Sequence, residues 1–175
     1  MELWDLYNEK REPLGKTMVR GDRIPEGCRH VVVQLMLFNS KGQMLIQHRQ
    51  PFKDGWPDKW DVTAGGSMVA GEYSQTALER EVGEEIGLHF DFKKDVPLIS
   101  RGMDHAFMDI YTRIEDIDIS KCVCQPEEVS EVRWAEMDEI YAMIDDGTFI
   151  PYRKCYLQLI KELTFEGRRI HTRDE

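Results

Sequence analysis

Residues 65–88 read GGSMVAGEYSQTALEREVGEEIGL. From Ser74 to Ile86 the composition is Gln, Ala, Leu, Glu, Arg and Val with no proline, which predicts a helix. Ser74 serves as its N-cap and Gly87 as its C-terminal stop. At about 100° per residue, Leu78, Val82 and Ile86 form an apolar stripe that can face a core, and Glu81, Glu84 and Glu85 form a neighbouring acidic stripe. Such a helix is locally costly. Each like-charge pair costs a few tenths of a kcal/mol, and Gly83 in the interior costs about 1 kcal/mol relative to alanine. Local rules broken together point to function. Three carboxylates on one stripe make an oxygen-rich site for a hard divalent cation such as magnesium; the plain alternative is a solvated acidic face.

The spacing of the whole stretch separates these readings. Gly66, Glu72, Arg80, Glu81, Val82, Glu84, Glu85, Gly87 and Leu88 fill every defined position of the Nudix box, G-x5-E-x7-R-E-U-x-E-E-x-G-U, with U aliphatic. The chain therefore resembles the Nudix superfamily. That resemblance implies an α/β class fold, an α/β/α sandwich around a mixed sheet with a catalytic loop-helix-loop.

Composition bounds the rest. A chain of 175 residues with 41% apolar and 32% charged residues reads as one soluble globular domain. We divide it into an N-terminal hairpin extension over 1–28, the box over 66–88 and a polar tail over 166–175. MELWDLYNEK lacks a signal-peptide pattern and no apolar run approaches a membrane span, so a cytoplasmic location without a membrane partner is expected. A net charge of −10 disfavours nucleic acid. It also disfavours a free phosphate ligand, unless a metal or local basic cluster intervenes. Cys28, Cys122, Cys124 and Cys155 show no zinc-site spacing and read as reduced thiols.

In chain order, Leu3–Tyr7 and Pro13–Thr17 read as a short hairpin. His30–Phe38 is almost continuously apolar, which suits a central strand covered on both faces. A turn at Asn39–Gly42 leads into a returning strand over Gln43–Arg49. Gln50–Lys59 is a loop and Trp60–Ala64 a short strand. After the box, strands are expected at His89–Phe92, Leu98–Gly102, Ala106–Ile114 and Val129–Trp134, with Ile117–Gln125 irregular. Helices are expected at Asp138–Asp146, ended by Gly147, and at Tyr152–Phe165 with a core face of Tyr156, Leu157, Leu159, Ile160 and Leu163.

The family resemblance implies cleavage of a small-molecule diphosphate, a nucleoside diphosphate linked to another group or a similar compound. Magnesium, with manganese as the alternative, would be held by Glu81, Glu84 and Glu85. One of these, or a glutamate from a later loop, would act as base. Arg80 would fix the carboxylates, Glu72 would tie loop to helix, and the Gly65–Gly66 backbone could add a carbonyl ligand. Glu128 and Asp109 are further acidic candidates, Gln47 and Arg49 candidate phosphate contacts, and Trp56 and Trp60 candidate pocket walls, with packing the favoured role for Trp60. A homodimer is compatible with the reading.

LFNSKGQMLIQHR at 37–49, GWPDKW at 55–60 and EEVSEVRW at 127–134 resemble type I isopentenyl-diphosphate isomerases within that superfamily. Those isomerases need a cysteine and a metal-binding histidine just after the tryptophan strand. Here the segment is Trp60-Asp61-Val62-Thr63-Ala64-Gly65-Gly66-Ser67-Met68, and only His30 matches an isomerase ligand. A hydrolase with an isomerase-like body is the leading reading. An isomerase and a catalytically silent ligand-binding module are the alternatives.

Overall fold

The computed structural model describes the backbone of residues 1–171 and the side chains of residues 1–166. Its frame is β3 (His30–Phe38), the apolar run of the sequence. This strand pairs in parallel with β8 (Ala106–Ile114) along its whole length and antiparallel with β6 (Ala64–Ser67). It meets β4 (Met44–Arg49) only at Phe38 and Met44, beside the tight turn at Gly42 (φ +82°). Beyond that point β3 and β4 diverge. β5 (Trp60–Asp61) and β9 (Val129–Ala135) attach to β4, and β7 (Ile99–Gly102) edges β8, completing a seven-stranded mixed sheet.

Divergence explains why Trp60–Ala64 is not the single strand expected. β5 pairs with β4 and β6 with β3, so the chain changes partner at Val62–Thr63. The Thr63 hydroxyl accepts from Leu37 N at 2.9 Å and donates to the Leu45 carbonyl at 2.6 Å. It thereby satisfies backbone groups that the splayed strands cannot offer each other.

Period-two alternation in β3 supplies both faces. Val31, Val33, Leu35 and Leu37 pack with Leu78, Val82 and Ile86 of α1 (Ser74–Ile86). Met36 and Phe38 pack on the other side with Met137, Ile140 and Met143 of α2 (Met137–Asp146) and Leu157 and Ile160 of α3 (Lys154–His171). Three layers, helix on mixed sheet on helices, result. Leu78 has no exposed surface, and its truncation to alanine would cost about 2–5 kcal/mol.

Four expectations are corrected. His89–Phe92 forms no strand; Phe92 is fully buried against α1 and Tyr111 instead of pairing. Leu159 and Leu163 are exposed, because α3 buries only the narrow stripe through Leu157 and Ile160. The helix also runs on to His171 where a polar tail was expected; residues 172–175 of that tail lie outside the described residues. Finally, Ser74 is the first helical residue and not the cap. Tyr73 takes the N-cap position in extended conformation, and its N–H donates to Thr76 Oγ1 at 3.0 Å. Gly87 ends the helix in the left-handed region as expected, φ +69°.

The hairpin of β1 (Leu3–Tyr7) and β2 (Pro13–Val19) clamps the loop between β6 and α1. Ala70 N donates to the Leu3 carbonyl at 2.8 Å and Gly71 N to Asp5 Oδ2 at 2.7 Å. Trp4 lies flat on His30, with ring centroids 4.1 Å apart.

Candidate active site

The acidic stripe of α1 lies over the gap where β3 and β4 diverge, and its three glutamates meet different surroundings. Glu85 points inward and is 2% exposed. Its Oε2 accepts from Gly65 N and from Gln47 Nε2, both at 3.0 Å. Its Oε1 lies 3.9 Å from Lys53 Nζ. Burial pushes the Glu85 carboxyl up to about 7, against the opposing pull of the Gly65 amide and Lys53. Glu81 is partly buried, and burial raises its pKa as well, with Arg80 opposing. A Cβ on Gly66 would fall 2.2 Å from Glu81 Oε1, so this carboxylate occupies the room that the glycine leaves. Glu84 is exposed to solvent.

Arg80 binds the stripe together. Its Nε and Nη2 pair with the two oxygens of Glu72 at 2.8 and 3.1 Å. Its Nη1 reaches Glu81 Oε1 at 2.8 Å and Glu84 Oε2 at 3.1 Å, and Nη2 also donates to the Ser67 carbonyl at 3.0 Å. Hydrogen bonding to Glu72 raises the Arg80 pKa, so it is a fixed positive charge. Glu72 also accepts from Val69 N at 3.0 Å, tying the loop to the helix. Among the described residues no three acidic, histidine or cysteine side chains converge as a ready metal cluster. The carboxylates are engaged by Arg80, Gln47, Gly65 and Lys53.

The other candidates divide. Glu128 joins the site through an ion pair with Lys53. Gln47 reaches Glu85, and its Oε1 is buried without a partner. Arg49 is spent on its own loop, bonded to the Trp56 and Gly55 carbonyls at 3.2 and 3.0 Å and paired with buried Asp61 at 3.4 Å. Trp56 stands exposed on that loop, and Trp60 packs between His48 and Arg133.

Asp109 is engaged elsewhere: Arg11 grips both its oxygens, and Ser74 and Ser100 donate to it at 2.6 and 2.7 Å, so it is a buried ion pair. Burial alone would raise its pKa; these hydrogen bonds outweigh it and hold the carboxyl below the usual range. Asp109 lines a cleft of about 350 Å³ between the hairpin and the start of α1, which Glu72 also borders. A larger cleft of about 620 Å³ lies between the Ser40–Gly42 turn and α3, lined by none of the site residues.

Lys53 is the group the sequence did not single out. It lies just before the GWPDKW string and in no motif itself, and only the fold brings it to Glu85 and Glu128, 32 and 75 positions away.

The NUDIX domain family model matches residues 29–156, and the chain belongs to the Nudix family. It is 43% identical over 152 residues to an uncharacterised Nudix hydrolase of Listeria monocytogenes, covering 87% of this chain and 90% of that one. A Nudix hydrolase of Deinococcus radiodurans is 31% identical over 165 residues, covering 89% and 94%. Among solved structures, DR0079 from Deinococcus radiodurans superposes with a TM-score of 0.70 at 29% identity, covering 85% of this chain and 91% of that one. The NUDIX domain of NrtR from Shewanella oneidensis, solved with ADP-ribose, shares the fold with a TM-score of 0.56 at 19% identity, covering 78% and 86%. The chain is thus an enzyme, a Nudix pyrophosphohydrolase acting on a small molecule, in a family that generally uses divalent metal ions. No helix of the described residues is long and apolar enough to cross a membrane.

Proposed function

We propose that this enzyme cleaves the diphosphate bond of a nucleoside diphosphate linked to another moiety, or of a similar diphosphate, using magnesium or manganese held by Glu81, Glu84 and Glu85. One observation carries the reading. Glu81 and Glu85 meet the Gly65–Gly66 backbone over one gap in the sheet, inside a complete Nudix box. The donor set is all oxygen, which suits a hard cation. The unpartnered Oε1 of Gln47 and the close approach of the Glu81 carboxylate to Gly66 suit such an ion as well. A divalent ion there would neutralise phosphate charge and acidify a bound water.

The protein's own groups do the rest. Arg80 uses all five N–H donors on Glu72, Glu81, Glu84 and Ser67, so it positions carboxylates and has no donor free for substrate. Glu84 is the solvent-exposed glutamate and can pass a proton from the attacking water to bulk. Water oxygen bonds to phosphorus, the bridging P–O bond breaks, and the released phosphate group carries the negative charge away. Gly65 and Gly66 let backbone and carboxylate approach closely; a side chain at either would collide.

The isomerase-like strings support reading the chain as a hydrolase related to those enzymes rather than as an isomerase. Gly65 and Ser67 stand where cysteine and histidine are needed. His30 is buried against Trp4, and burial pushes its pKa down to about 4. The test is a magnesium-supported screen of nucleoside diphosphate sugars, ADP-ribose, dinucleoside polyphosphates, nucleoside di- and triphosphates and coenzyme A. Isopentenyl diphosphate is included as the isomerase control. Cleavage of at least one anhydride and no dimethylallyl diphosphate is expected. Isomerisation without cleavage of any member would overturn the reading, and no turnover at all would favour a silent module.

A further inference from the structure

The Gln50–Lys59 loop is held in an awkward shape over the acidic stripe. Trp56 and Asp58 adopt positive φ of 53° and 55°, a region that side chains other than glycine's rarely occupy. Arg49 pins the Gly55 and Trp56 carbonyls, and Gln50 N donates to the Glu128 carbonyl at 3.0 Å. These bonds deliver one group into the site, the ammonium of Lys53. It is 15% exposed, paired with Glu128, and 3.9 Å from the one oxygen of Glu85 that no amide covers. Burial weakens its charge, while Glu85, Asp61 and Glu81 favour it. Lys53 therefore sits beside the Glu85 oxygen that a divalent ion held by this carboxylate would require, with Glu128 on its other side.

We propose that Lys53 is a tethered counter-ion that holds the cation's place between Glu85 and Glu128 and must leave before a divalent metal can bind. This rests on the reading of Glu81, Glu84 and Glu85 as metal ligands. Two consequences follow from the exclusion. The substrate-free enzyme binds metal more weakly than its carboxylates would alone. A diphosphate that draws the ammonium away raises metal affinity, and by linkage the metal raises affinity for the diphosphate by the same factor.

The experiment needs no substrate. Mn2+ binding is titrated by the paramagnetic resonance signal of the free ion for wild type, K53M, E85Q and K59M, each checked for folding by its thermal melt. K59M removes the same charge from the same loop at a position that touches no carboxylate. In parallel, an amine-reactive reagent labels the wild type with and without Mn2+, and labelling at Lys53 is read by mass spectrometry. K53M should bind Mn2+ at least about fivefold more tightly than wild type, the lower end of usual coupling between sites. K59M should match wild type, and Lys53 labelling should rise when Mn2+ is added. Equal affinities in wild type and K53M, with Lys53 labelling unchanged by bound Mn2+, would overturn the proposal and leave the metal site standing. A K59M effect as large as that of K53M would overturn it as well, reducing Lys53 to general charge. If neither wild type nor K53M binds Mn2+ and E85Q has nothing to lose, the metal reading itself falls, and this inference with it.

Discussion

Glu85 carries a carboxyl near neutrality, about 7 against an ordinary value of 4.5, because it is buried. The sign of its linkage to stability follows. A carboxyl whose folded pKa lies above its unfolded value binds its proton more tightly when folded. That stabilisation is present below the unfolded pKa and is lost as pH rises through the folded one. In chelator, the melting temperature of wild type should therefore fall from about pH 5 to about pH 7.5 relative to E85Q, then run parallel. A constant difference across that range would contradict the burial argument. On a confirmed substrate, E85Q should lose orders of magnitude in turnover while still melting cooperatively. The position of Glu85 was legible in the spacing of the box. Its isolation from Glu84 was not, because Gln47 and Gly65 reach it from 38 and 20 residues away. Adjacent residues on one helix face were expected to share an environment; one is under the sheet gap and the other in water.

At the scale of the element, α1 keeps the bounds its composition predicted, Ser74–Ile86, because a proline-free stretch, an apolar stripe and Gly87 all agree. The cap was misread because Ser74 has a better use. Its hydroxyl donates to Asp109 and accepts from Tyr111 at 2.9 Å, contacts that sequence spacing does not show. Gly83 is the other local anomaly of the helix. A Cβ there would meet the His89 ring at 3.4 Å and the Leu88 carbonyl at 3.9 Å, ordinary contacts, and its backbone is helical. G83A should thus raise stability by about 0.5–1 kcal/mol, or roughly 1–4 °C in a thermal melt for a chain of this size. A lower melting temperature would mean that His89 cannot yield. G66A offers the contrast within the same unit. Its Cβ would displace Glu81, so it should abolish Mn2+ binding.

Across the whole molecule, the hairpin extends a domain whose family match begins at residue 29. Its Arg11, in left-handed backbone at φ 63°, reaches Asp109 in β8. R11A leaves a buried carboxylate with only two hydroxyl donors and should cost about 1.5–3 kcal/mol, the usual loss for a hydrogen bond to a charged group. Adding D109N should recover part of that loss in the same denaturant series; a double variant less stable than R11A would contradict the pairing. Sequence pattern placed the strands because their alternation and turns are local. It did not show that Asp109 is held by Arg11, because that partner lies 98 residues away in a hairpin with no motif. The account as a whole stands on hydrolysis of an acid anhydride by this site. Its most direct test is mass spectrometry of the substrate panel incubated in 18O-labelled water, with magnesium, with chelator, and with E85Q in place of wild type. The account predicts one 18O atom in one of the two phosphate-bearing products, formed by wild type with magnesium and by neither control. Product formed equally in chelator or by E85Q, or no cleavage of any anhydride by magnesium-loaded wild type, would contradict it.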